Sequence, residues 1–112
     1  DASQKAYATA IYVGYPQHEG YMSKLIFSKA RVAPKDITIP RLELMGVLIG
    51  VRSIEFIRKS LDVEVNRKFL WTDSICVLRW ISSGKVLPLF VENRVKEINK
   101  SQDVIFRYVP SE

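Results

Sequence analysis

Thr38-Ile39-Pro40-Arg41-Leu42-Glu43-Leu44-Met45-Gly46, with its continuation to about Leu61, is the stretch around which the chain is organised. It reads as a helix of roughly 20 residues, about 30 Å long. Thr38 suits the N-cap. Pro40 in the first turn sacrifices no helical hydrogen bond, because the earliest N–H groups have no helical partner. Apolar residues then occupy the whole circumference: Leu42, Leu44, Met45, Val47, Leu48, Ile49, Val51, Ile54, Phe56 and Ile57. That is the pattern of a buried helix. Glu43, in the midst of them, is costly to bury as an isolated anion, so it must be paired, protonated or metal-bound. Gly46 and Gly50 follow at i+3 and i+7 on the same face, where two missing side chains admit another backbone, here a sheet.

The 112 residues suffice for one domain with a single hydrophobic core. An apolar content of 47% with five glycines and five prolines excludes low complexity and disorder. No apolar run reaches the ~18 residues of a membrane span, and no secretory leader is evident. The single cysteine, Cys76, cannot form an internal disulfide and points to an intracellular setting. The net charge of +5 suits a polyanionic partner. Beginning at Asp1 rather than methionine, the chain reads as a piece of a longer polypeptide.

Residues 7–15 and 21–29 alternate with period two and predict an antiparallel hairpin across a five-residue turn, Pro16-Gln17-His18-Glu19-Gly20. A loop leads into the organising helix. Phe69-Leu70-Trp71-Thr72 predicts a short buried strand, ending at Asp73-Ser74. Helical spacing resumes over residues 75–82, and Pro88 opens a further helix. Val104-Ile105-Phe106-Arg107-Tyr108-Val109 predicts a last strand before Pro110. The order is strand, strand, helix, strand, helix, helix, strand: an α/β domain with a mixed sheet. Asp73 then lies at the carboxyl end of a strand, where open α/β sheets collect ligands.

The chemistry falls to carboxylates. There is no Gly-rich phosphate loop and no CxxC, and the only histidine, His18, lies in a turn. Asp1, Glu43 and Asp73 remain, and hard divalent cations take such oxygen ligands. Asp73-Ser74 also has the character of a helix N-cap.

Asp1-Ala2-Ser3, Arg41-Leu42-Glu43-Leu44 and Trp71-Thr72-Asp73-Ser74 resemble the three acidic motifs of a ribonuclease H domain, in the same order. Ser28-Lys29-Ala30-Arg31-Val32-Ala33-Pro34, the run 38–44 and Phe90-Val91-Glu92-Asn93-Arg94-Val95 resemble the ribonuclease H region of BEL/Pao-type retrotransposon polyproteins. Tyr108-Val109-Pro110-Ser111-Glu112 matches the approach to that region's last motif.

The resemblance implies a ribonuclease H-like fold over residues 1–112, an antiparallel hairpin plus parallel strands flanked by helices. By comparison with the family, the first strand is incomplete and a C-terminal helix carrying a fourth acidic ligand is missing, so the fold reads as truncated at both ends. The implied activity is metal-dependent hydrolysis of the RNA strand of an RNA–DNA hybrid. Two Mg²⁺ ions, with Mn²⁺ as a substitute, would be held by Asp1, Glu43 and Asp73, with Asp1 bridging. Reverse transcriptase and integrase regions of the same polyprotein are the implied neighbours, in a retroelement particle. Arg31, Lys35, Lys85 and Arg94 are the candidate phosphate contacts. The alternatives are an inactive module that binds nucleic acid or a polymerase domain, and an integrase of the same superfamily, which expects a different spacing.

Overall fold

The computed structural model describes residues 6–17, 20–62, 65, 67–101 and 103–110. Seven elements follow in the expected order: β1 (Ala6–Gln17), β2 (Gly20–Val32), α1 (Ile39–Leu61), β3 (Lys68–Thr72), α2 (Ile75–Ser82), α3 (Leu89–Asn99) and β4 (Val104–Tyr108). The α/β class, the antiparallel hairpin and the parallel strands are all present. Among the described residues they form two separate two-stranded sheets, β1–β2 antiparallel and β3–β4 parallel.

The hairpin runs further than alternation alone predicts, with Pro16 facing Tyr21 and Gln17 facing Gly20. Gly20 has φ +102°, a conformation that glycine adopts without steric cost, so the chain reverses there rather than over five residues. His18 and Glu19 lie outside the described residues. Ile11 pairs with Phe27 and Tyr12 with Leu25, so Ile26 is the extra residue of a β-bulge. Beyond the bulge Tyr12, Tyr15, Met22 and Leu25 are exposed.

α1 begins as its sequence dictates: the Thr38 hydroxyl accepts from the Arg41 N–H and Pro40 stands in the first turn. Its all-round apolarity serves two cores. Leu44, Val47, Leu48 and Val51 meet Leu70 of β3, Val77 of α2, Val91, Val95 and Ile98 of α3 and Val104 of β4. Leu42 and Ile49, two turns apart on another face, meet Tyr7 of β1. Burial stops short of the helix end, however. Phe56 and Leu61 are exposed, although Phe56 lies against Phe27 of β2 at 6.0 Å. Apolar composition alone does not reveal which of these positions are covered.

Gly46 and Gly50 face the strands, as their shared face predicts. A Cβ on Gly46 would lie 3.8 Å from the Ala8 carbonyl oxygen. One on Gly50 would lie 2.9 Å from Leu70 Cδ1 and 3.2 Å from Thr9 Oγ1. β1 and β3 thus pass over one helix face without pairing with each other. Between them runs a groove of about 1390 Å³, lined by both strands and by Gly46, Val47, Gly50 and Ile54 of α1.

Candidate functional site

Glu43 and Asp73 both line that groove. Glu43 comes from the second turn of α1, on the face that carries Gly46 and Gly50, and it is half-buried. Asp73 is delivered by the abrupt end of β3. The Thr72 hydroxyl accepts from the Ser74 N–H at 3.1 Å, and the Ser74 hydroxyl accepts from the Val77 N–H at 3.2 Å, capping α2. The Thr72 carbonyl accepts from the Val109 N–H at 2.9 Å. Thr72 and Ser74 are themselves buried. Asp73 therefore sits at a strand–helix junction held on both sides, and capping coexists with its position at the groove.

The two carboxylates feel one another. Burial, and after it the charge of Asp73, push the Glu43 carboxyl above its ordinary range; a hydrogen bond from the Ser74 side chain opposes the shift. Among the described residues Glu43 has no cationic partner within ion-pair distance. A carboxylate in this setting is open to protonation or to metal binding. Among the described residues no group of three or more acidic, histidine or cysteine side chains gathers into a metal cluster. Asp1, the third expected ligand, lies outside the described residues.

With this geometry, comparison with known families is decisive. The model of the Pao retrotransposon-like RNaseH-like domain matches residues 1–74. The chain belongs to this family. The matched span of this Pao-type RNaseH-like domain takes in the hairpin, α1, β3, Glu43 and Asp73, and ends at Ser74. No curated protein matches the chain.

The candidate phosphate contacts of the Pao-type domain are dispersed. Arg31 is exposed near the end of β2, Lys35 is exposed before α1, and Lys85 is exposed between α2 and α3. Arg94 of α3 differs: it is half-buried, its Nη1 donates to the Phe90 carbonyl at 3.0 Å, and its guanidinium lies 3.7 Å from the Phe90 ring centre. Arg41 of α1 approaches the same ring at 5.1 Å.

Two contributors were not apparent from the sequence as site residues. Ser74 was visible only as a cap, and Arg41 only as part of the motif containing Glu43. The i,i+4 pairs Arg41/Met45 and Phe90/Arg94 are the signal that places each set on one helix face; that the two faces meet is tertiary information. Among the described residues no helix is long and apolar enough to cross a membrane.

Proposed function

We propose that this Pao-type RNaseH-like domain is a metal-dependent endonuclease that hydrolyses the RNA strand of RNA–DNA hybrids. The observation that carries this reading is that Glu43 and Asp73 line one groove, where burial and the Asp73 charge together raise the Glu43 carboxyl. Two carboxylates so placed are a donor set for a hard divalent ion, and binding of one would favour the ionised form of Glu43. Asp1, in the first matched motif, is the proposed third ligand. Bound there, Mg²⁺ or Mn²⁺ supplies Lewis acidity that activates water and stabilises the departing oxygen. The chain's own part is to hold Asp73 between two buried side chains, to orient Glu43 through Ser74, and to bring both to an open groove. A setting beside reverse transcriptase and integrase regions follows from the family's retrotransposon origin.

The test is cleavage of labelled RNA–DNA hybrid, duplex DNA and single strands with Mg²⁺ or Mn²⁺, in the wild type and in Glu43→Gln and Asp73→Asn. Selective cleavage of the hybrid RNA strand, lost in both variants, is expected. Binding of hybrid without cleavage under either metal would favour the inactive binding module.

A further inference from the structure

We propose that Arg41 and Arg94, sharing the ring of Phe90, form a clamp for nucleic-acid backbone phosphates on the side of α1 facing away from Glu43. This builds on the nucleic-acid reading above but concerns holding rather than cutting.

Arg41 Cζ lies 5.1 Å and Arg94 Cζ 3.7 Å from the Phe90 ring centre, so the two guanidiniums are at most 8.8 Å apart. Neither makes an ion pair among the described residues. Glu97, the carboxylate through which the Arg94 charge is felt, is already held by Arg52 through two hydrogen bonds of 2.5 and 2.7 Å. The chain therefore places two like charges side by side, with no ion-pair partner among the described residues.

Helix stability does not account for Arg41. It stands in the first turn of α1, where the positive end of the helix dipole disfavours a cation. The shared ring supplies a reason for both positions: an aromatic face orients planar guanidiniums while leaving their edges free to donate. Arg94 spends Nη1 on the Phe90 carbonyl and Nε on the Met45 sulfur, which fixes its plane and leaves Nη2 without an acceptor among the described residues. Guanidinium N–H groups fit phosphate oxygens, and two such cations this close suit successive or facing phosphates of one nucleic acid. Arg41 and Glu43 are two residues apart and so project to opposite sides of a helix about 10–12 Å across. The clamp therefore extends nucleic-acid contact beyond the groove that holds Glu43.

The test is the salt dependence of binding, measured without divalent metal so that cutting plays no part. Fluorescence anisotropy of a labelled RNA–DNA hybrid would be followed from about 50 to 200 mM NaCl, where each neutralised phosphate contributes a slope of about 0.9 in log K against log salt. Arg41→Gln is expected to reduce the slope by about 1, and Arg41→Gln with Arg94→Gln by about 2, while Arg41→Lys keeps it. Lys24→Gln with Lys29→Gln on β2 should leave it unchanged. Arg41→Gln removes a cation from a helix N-terminus, so the folded protein remains available even if the double variant melts. A slope unchanged in Arg41→Gln, an equal loss in the Lys24/Lys29 variant, or absence of any hybrid binding by the wild type would overturn the clamp. Hybrid cleavage with an unchanged slope would sink the clamp and leave the nuclease reading standing. A reduced slope without cleavage would do the reverse.

Discussion

Gly50 and Leu70 are in such close register that a Cβ on the glycine would lie 2.9 Å from Leu70 Cδ1, with Thr9 Oγ1 at 3.2 Å on the other side. This contact seats both sheets on α1. Gly46, one turn earlier, has its nearest neighbour at an ordinary 3.8 Å. The two helical glycines should thus respond oppositely to alanine. Gly46→Ala is expected to raise stability by about 0.5–1 kcal/mol, because it gains helix propensity without a clash. Gly50→Ala gains the same propensity but must displace Leu70 within the core, and a net loss of about 1 kcal/mol is expected. Urea denaturation of both variants decides it; equal gains would show that Leu70 yields freely.

Glu43 yields a prediction in pH. Its folded carboxyl titrates above the unfolded one, so the protonated form is favoured on folding. That contribution is complete below the unfolded carboxyl range and is lost as pH rises through the folded value. Glu43→Gln, fixed in the neutral form, should therefore melt above the wild type at neutral pH, with the gain vanishing below about pH 4, near the ordinary glutamate value. Added Mg²⁺ should stabilise the wild type and not the variant. Thermal melts across pH, with and without Mg²⁺, provide the check; a variant less stable at neutral pH would refute the burial of this carboxylate.

Arg52 and Glu97 give the opposite sign. Hydrogen bonds from Arg52 hold the Glu97 carboxyl below its usual range, joining α1 to α3. This support is present above the unfolded carboxyl range and is lost as pH falls through the folded value. Both side chains are largely solvent-exposed, so a double-mutant cycle on Arg52→Gln and Glu97→Gln should return only about 0.5–1 kcal/mol at neutral pH. The coupling should disappear in acid. A coupling unchanged there would mean that the pair does not act through charge.

The groove between β1 and β3 yields a prediction about chain length. Each strand has only one hydrogen-bonded neighbour among the described residues, and both line the groove. Unpaired strand edges seek partners. A further strand fits between them, and sequence N-terminal to β1 is the expected occupant. A longer chain carrying that segment should melt higher, self-associate less and cleave hybrid faster than residues 1–112. Analytical ultracentrifugation and melting of the two lengths would test this; identical stability and association would show that the groove holds no strand.

Local signals made the elements of this protein legible. The Thr38 cap, Pro40, the apolar circumference of α1, the break after Thr72 and the cap at Ser74 depend on neighbours within a few residues. The helices appear within a residue or so of where sequence places them. The ordered acidic motifs likewise identified the family before any contact was known. Hairpin length was less accessible, because backbone pairing through Pro16 and Gly20 depends on the partner strand rather than on alternation. Only the tertiary structure separated the hairpin from the parallel pair, brought Glu43 toward Asp73 and laid Arg41 and Arg94 on one ring. Each of these relations joins residues distant in sequence. Their meeting is decided by how α1 distributes its faces between two cores, and helical periodicity shows that those faces are apolar without showing what covers each one.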